Sequence, residues 1–272
     1  MESYRSSLLF SHPRGRNWAL FLIVCIGLFF RLYGMNWGMP HYFHPDERQV
    51  MYKTGDISLS DMNPHFFAYG SLPIYLLRGT TEAVGWMNRN VVNLASAMKL
   101  SPDMMSDVRN YFPNMNDLKQ RTLTGRFLSA IFSTLTIIVI FHLTQLLYNR
   151  KTALLAALLF ALTVLSIQQA HFYIVDGIQT FFVTCAIYYA VRASLGERYR
   201  DYYYSALFIG FAMATKFSSL PIYLVFGFAH LIAMLEKRRR SLSHQVHWGL
   251  ALVFSVIVMS VCMPYWLLDH TT

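Results

Sequence analysis

The amino-acid sequence predicts an all-α membrane protein of about seven transmembrane helices, with a cytoplasmic N-terminus and one long external loop. Three observations carry that prediction. Only 14% of the 272 residues are charged and 55% are hydrophobic, whereas soluble domains carry about 25% charged residues. Apolar runs of membrane-spanning character recur along the chain. Basic residues gather in every second connection between those runs.

The apolar segments fall at 17–33, 126–148, 153–168, 178–193, 202–215, 219–235 and 248–268. Arg5, Arg14 and Arg16 precede the first, as in a signal peptide. No small-residue cleavage site follows, and Val24 stands before Cys25 where a lipoprotein signal needs a small residue. The first segment therefore reads as an uncleaved helix. Several segments are shorter than the ~20 residues of a straight span. The fifth and sixth are separated only by Lys216-Phe217-Ser218-Ser219, which fits a partly crossing hairpin or two spans meeting near one surface.

Charge placement orients the chain. Arg150 and Lys151 follow the second segment, Arg192, Arg198 and Arg200 follow the fourth, and Lys237 to Arg240 follow the sixth. The short connections on the other side have Lys216 as their only lysine or arginine. This positive-inside pattern accounts for the net charge of +9 without invoking nucleic acid. Cys25, Cys185 and Cys262 lie inside apolar runs with no metal-ligand spacing and read as small buried hydrophobes.

Residues 34–125 form the one long external loop in this topology. Pro45 is suited to the first turn of a helix, which would place Asp46 and Glu47 at a positive dipole end. Residues 64–87 are apolar and aromatic with a Gly-Ser-Leu-Pro break, as in a helix lying at the membrane interface. Residues 101–121 read as a polar connection, and no internal repeat or soluble domain is evident.

The chemistry-bearing residues collect on the external side. Asp46-Glu47 alone could be a helix-start acidic pair. Asp176 alone could be a helix cap, His171 an interfacial hydrogen-bonding group, and Arg126 an interfacial anchor. Lys216 sits between two apolar runs, where a charge costs roughly 2.5–3.5 kcal/mol and marks a functional candidate. Together, carboxylates and cations at one membrane face suit a lipid substrate with an anionic headgroup. Lysine and arginine hold phosphate oxygens, and a carboxylate takes a proton from an attacking hydroxyl. His41, His44, Asp46, Glu47 and the more distant His171 offer ligands for a divalent metal, but without zinc-type spacing.

The stretch from Trp37 through "WGMPHYFHPDE" resembles bacterial members of glycosyltransferase family 39, the protein O-mannosyltransferase-like group of the GT-C fold. "NPHFFAYGSLPIYLL" (63–77), "LTGRFLSAIFSTLTIIVIFHL" (123–143), "QQAHFYIVDGIQTFF" (168–182) and "FIGFAMATKFSSLPIY" (208–223) extend the resemblance over nearly the whole chain. The resemblance implies an integral membrane hexosyltransferase. Its donor would be a polyprenyl-phosphate sugar held at the non-cytoplasmic face of the membrane, the inner membrane in a bacterium. Asp46 is then the expected base, Glu47 a positioning partner in the catalytic pair, and the transfer inverting. His44, Arg48, Arg126, His171, Asp176 and Lys216 are the expected substrate-binding residues, with Lys216, Arg126 or Arg48 stabilising the departing phosphate. No metal or other cofactor is part of the expectation.

Family members usually run longer, so residues 1–272 are expected to form one module equivalent to the N-terminal catalytic half. A partner chain or further part would then complete it. The acceptor hydroxyl, on protein, lipid or polysaccharide, is not named by the sequence. Two other readings stay open on residues alone: a transporter or lipid-binding protein, favoured by Lys216 between short helices, and a half that is inactive without its partner.

Overall fold

The computed structural model describes residues 18–39, 41, 43–58, 60–196, 198–235 and 242–269. Arg5, Arg14, Arg16 and the Lys237–Arg240 run lie outside the described residues. Twelve α-helices follow in order: α1 Trp18–Leu32, α2 Pro45–Asp56, α3 Leu72–Ala97, α4 Pro102–Tyr111, α5 Leu118–Leu147, α6 Arg150–Ala161, α7 Val164–Ala170, α8 Val175–Leu195, α9 Arg200–Thr215, α10 Ile222–Leu235, α11 Leu242–Cys262 and α12 Tyr265–Leu268. A 3₁₀ turn at Phe217–Ser219 joins α9 to α10. Among the described residues there is no strand, as the all-α prediction requires.

Four helical stretches are long and apolar enough to cross a membrane: Leu118–Leu147, Val175–Leu195, Phe217–Leu235 and Leu242–Cys262. Helices α6 and α7 make a fifth if counted as one span, bent by 53°. Helix α1 has 15 described residues and is apolar but short. The seven apolar segments thus all become helices, yet they do different jobs. The fifth, α9, buries ten of its 16 residues, including Ala206, Ile209, Ala212 and Ala214, between α8 and α11. It is apolar because protein surrounds it.

Small residues let these helices approach, as they must where lipid offers no hydrophobic drive for association. Ala186, Ala190 and Ala193 share one face of α8 and are buried in the same core as Ala206 and Ile209 of α9. The Ser205 hydroxyl donates to the Ala186 carbonyl at 2.9 Å across that contact. In a second, smaller core Ala153, Ala157 and Ala161 of α6 are each 0% exposed and lie with Leu20 and Ile23 of α1 and Ile137 and Phe141 of α5. Of the cysteines, Cys185 is buried, Cys262 half-buried and Cys25 exposed on the outer side of α1, not buried as its apolar run led one to expect.

Arg31 pins this second core. It is 0% exposed on α1, with no carboxylate partner among the described residues. Its guanidinium donates to Ser133 Oγ at 2.7 Å, to the Gly27 and Ala161 carbonyls at 3.0 Å each, and to the Phe160 carbonyl at 3.3 Å. Phe160 and Ala161 are the last residues of α6, where carbonyls lack helical partners and the helix dipole is negative. The cation thereby caps the break between α6 and α7.

Connections bring distant segments to one end of the bundle. The residues after α1, the start of α2, the segment before α3, the first turns of α5, the α7–α8 turn, the α9–α10 junction and α12 all meet there. Cross-links tie them: His171 Nε2 lies 2.8 Å from the Tyr33 carbonyl, the Gly70 N–H donates to the Thr215 carbonyl at 3.0 Å, and Asn63 Nδ2 donates to Asp269 at 2.7 Å. The long connection between the first and second apolar segments is more helical than the sequence led one to expect. Residues 72–97 form α3, residues 102–111 form α4 inside the stretch read as a polar connection, and α5 begins at Leu118 rather than 126.

Replacing Arg31 by alanine should lower stability by about 2–4 kcal/mol, since charged hydrogen bonds and buried volume are lost together. A thermal melt in detergent that matches the wild type would refute the pinning role.

Candidate active site at one end of the bundle

Successive residues of a helix point about 100° apart, so the adjacent carboxylates at the start of α2 cannot face the same way. Glu47 turns inward and is 0% exposed; Asp46 is half-buried at the open side. Pro45 occupies the first turn without needing an N–H partner.

Glu47 meets Arg126 of α5, also 0% exposed, in a two-pronged pair. Arg126 Nε donates to Oε1 at 2.8 Å and Nη2 to Oε2 at 2.7 Å. The Tyr173 backbone N–H adds a third bond to Oε1 at 2.9 Å. Nη1 of Arg126 donates to the carbonyls of Met35 and Trp37 at 2.9 and 2.8 Å, and the guanidinium lies 5.4 Å from the Phe172 ring centroid. One buried pair thus joins α2, α5, the segment after α1 and the α7–α8 turn. Gly125 lets the turn approach: a Cβ there would sit 2.8 Å from the Tyr173 ring and 3.0 Å from the Met51 methyl. The Tyr173 hydroxyl continues inward to the Pro73 carbonyl at 2.6 Å, and burial pushes its phenol pKa up.

Asp46 keeps different company. It makes no ion pair among the described residues, and its charge acts on the phenol of Tyr69, whose ring centroid is 5.5 Å from Lys216 Nζ. Lys216 pairs with Asp176 Oδ1 at 2.7 Å, and both side chains remain partly open at 28% and 36% exposure. The Tyr69 phenol is pushed up to about 12, first by burial, then by the neighbouring Asp46 carboxylate and by the charge of Asp176. Gln179, one turn after Asp176, donates to Ser218 and Ser219 at 3.0 and 2.7 Å and so ties the start of α8 to the α9–α10 junction.

The remaining expected residues sit at the rim. His44 precedes α2 with its ring 5.5 Å from Phe172 and its Nδ1 buried without a hydrogen-bond partner. His171 is taken up structurally: Nδ1 lies 2.8 Å from the Ile167 carbonyl and Nε2 2.8 Å from that of Tyr33. A neutral ring can donate to only one of them at a time. Arg48 is exposed, and residues two apart on a helix do not face each other, so it is turned away from Asp46. Among the described residues, no group of three or more His, Cys, Asp or Glu side chains could hold a metal ion.

The arrangement alters two expected roles. Arg126 was expected to grip the substrate phosphate, but it is sealed and four of its donor bonds go to protein. Glu47, expected beside the reaction, has its oxygens taken by Arg126 and Tyr173. Asp176, expected among the substrate-binding residues, makes no capping bond at the start of α8 and holds Lys216. Tyr69 was not singled out in the sequence. The available signal was an aromatic hydroxyl one residue before a glycine, in an apolar stretch of the external loop.

Removing one partner of the buried pair leaves an unpaired charge, so Arg126→Leu should destabilise by about 3–5 kcal/mol. Adding Glu47→Leu to it should recover part of that loss. Melting temperatures of the single and double variants decide this, and additive losses would contradict a coupled pair.

Residues 118–266 match the family model described as dolichyl-phosphate-mannose-protein mannosyltransferase. No curated protein matches the sequence. Among solved structures, the chain is similar to one described as the S. cerevisiae protein O-mannosyltransferase Pmt1-Pmt2 complex bound to the sugar donor, with a TM-score of 0.66 and 15% identity. That likeness, one of fold, covers 99% of this chain and 35% of the yeast chain, so the protein spans about a third of its length. The family match takes in more than half of the sequence, and the chain belongs to the dolichyl-phosphate-mannose-protein mannosyltransferase family.

Proposed function

We propose that this multi-pass membrane protein is a glycosyltransferase that moves a sugar, mannose by family, from a polyprenyl-phosphate donor to an acceptor hydroxyl. The observation that carries the reading is the division of the Asp46-Glu47 pair. One carboxylate is locked behind the site by Arg126, while the other stands half-buried with no ion pair among the described residues. Family membership and the fold shared with a protein solved with its sugar donor support it.

In this reading Asp46 accepts the proton of the acceptor hydroxyl as its oxygen forms a bond to the anomeric carbon. The bond from that carbon to the phosphate oxygen breaks, and polyprenyl phosphate departs as an anion. A single displacement of this kind inverts the anomeric centre. Lys216 faces the departing phosphate, where a cation that tightens its grip as charge develops lowers the barrier. Asp176 holds the lysine in place between turnovers. Glu47 and Arg126 act behind Asp46 as positioning residues. We write the step without a metal.

The basic connections in the sequence support a site on the non-cytoplasmic face, which would be the periplasmic side of the inner membrane in a bacterium. The family description names a protein acceptor, and a serine or threonine hydroxyl is the acceptor we propose. The solved relative is a complex of two proteins. A partner or further polypeptide supplying the acceptor side fits a chain that spans a third of that relative's length.

The experiment is sugar release or transfer from a panel of polyprenyl-phosphate sugars by purified protein in detergent. Asp46→Asn should lower turnover about 10²–10⁴-fold, and Lys216→Ala about 10²-fold. Full transfer by folded Asp46→Asn would remove Asp46 as the base. Solute counterflow in proteoliposomes without sugar transfer would favour a transporter.

A further inference from the structure

The segment between α1 and α2 holds two large rings in the open. Trp37 is 60% exposed and Phe43 61%, at the same end of the bundle as Asp46. Single exposed apolar side chains are ordinary. These two lean on each other, with ring centroids 5.3 Å apart and planes 36° from parallel. The fold also holds them there. The Trp37 N–H donates to the Gly34 carbonyl and the His41 N–H to that of Gly38, each at 2.8 Å. The Trp37 carbonyl accepts from the buried Arg126 at 2.8 Å. Gly38 has a φ of +78°, and a Cβ on it would lie 2.7 Å from the Phe43 ring, so a side chain at 38 would push that ring aside.

We propose that Trp37 and Phe43 form a sugar-binding platform, on which the hexose of the donor rests its apolar C–H face beside Asp46. This rests on the transferase reading above. Phe43 comes three residues before Asp46, so their Cα atoms are within about 11 Å of each other. The Trp37 ring meets Phe172 edge-on at 6.2 Å. The same Phe172 ring lies 5.4 Å from the Arg126 guanidinium and 5.5 Å from the His44 ring. The platform is thereby tied to the sealed back of the site. A tryptophan that only anchored the chain at the membrane interface would need one ring and no such framework.

The chemistry of the patch matches a sugar. A hexose carries slightly positive C–H groups on one face, and an aromatic face is slightly negative. The hydroxyls around the sugar's edge need polar partners. His41 lies 6.3 Å from the Phe43 ring, and His44 borders Phe172. His44 Nδ1 is buried without a hydrogen-bond partner. An N–H buried without an acceptor is costlier than an idle lone pair. The neutral ring's proton therefore belongs on Nε2, where it serves as a donor to a sugar hydroxyl. An isoprenoid chain would have no use for two imidazoles beside the rings.

The test reads binding apart from turnover. The protein is labelled with 5-fluorotryptophan in detergent, and the ¹⁹F line of Trp37 among its five tryptophans is assigned by its loss in Trp37→Phe. Methyl glycosides of mannose, glucose and galactose are the probes. At least one should displace the Trp37 line saturably, and Phe43→Ala should weaken that binding about threefold or more. No displacement by any of the three overturns the platform. Displacement by geranyl phosphate alone would mark a site for the lipid tail, and broadening by a lipid-chain spin label without a glycoside response would mark a membrane anchor. Either overturns it too. In turnover of polyprenyl-phosphate hexoses, Trp37→Ala should raise donor KM about tenfold and Trp37→Phe less than about threefold. Gly38→Ala, which displaces Phe43 without deleting a ring, should move KM in the same direction. A wild-type KM in Trp37→Ala overturns the proposal. A glycoside response in protein that uses no polyprenyl-phosphate sugar overturns the transferase reading and the assignment to a donor. Transfer without any glycoside response overturns the platform alone, so the two failures look different.

Discussion

The buried pair between Glu47 and Arg126 fixes the geometry on which the rest depends. Both side chains are fully enclosed, and the bidentate bonds are reinforced by the Tyr173 amide and by the Met35 and Trp37 carbonyls. Four separate stretches of chain meet at these two residues. A buried ion pair is weak evidence for net stability, because desolvation offsets the attraction. Its use here is directional. Two planar groups locked face to face allow one orientation of α2 on α5, and that orientation decides where the neighbouring Asp46 points.

The bundle around that pair is held by close approach more than by apolar burial, as the membrane requires. Alanine-lined faces on α6, α8 and α9 bring backbones together, and buried polar side chains find backbone partners at the contacts. Arg31 repeats the principle at the α6–α7 break, with no acidic partner among the described residues. A guanidinium can satisfy carbonyls from two helices at once through its fixed fork. The cost of burying the cation is offset by the helix-end carbonyls that accept from it.

The candidate site is built in two layers. Behind lies the sealed pair with Tyr173 and Phe172. In front stand Asp46, Tyr69, Lys216 and Asp176, half-buried or partly open. Ion pairs open to water contribute little to stability, so the Lys216–Asp176 contact can be exchanged for a phosphate at small cost. A rigid back and an exchangeable front fit the proposed transferase, in which Asp46 acts as base and a phosphate departs.

By itself the sequence determined the membrane class, the helical character of the apolar segments and the gathering of Asp46, Arg126, Asp176 and Lys216 at one end. Apolar length and the alternation of basic connections are local quantities, readable without coordinates. The resemblance of short motifs led to the same family that the match over residues 118–266 supplies. Tertiary structure alone decided which of these residues are sealed and which are open. Nothing in "HPDER" distinguishes Asp46 from Glu47, because that depends on how α2 is rotated against α5. Arg126 reads in sequence as a phosphate ligand, whereas the fold buries it against Glu47, a partner far away in sequence. Tyr69 was silent for the same reason: a tyrosine in an apolar loop is ordinary until folding sets its ring beside a lysine. Burial and side-chain direction are sums over contacts between remote segments, and only the packed chain evaluates them.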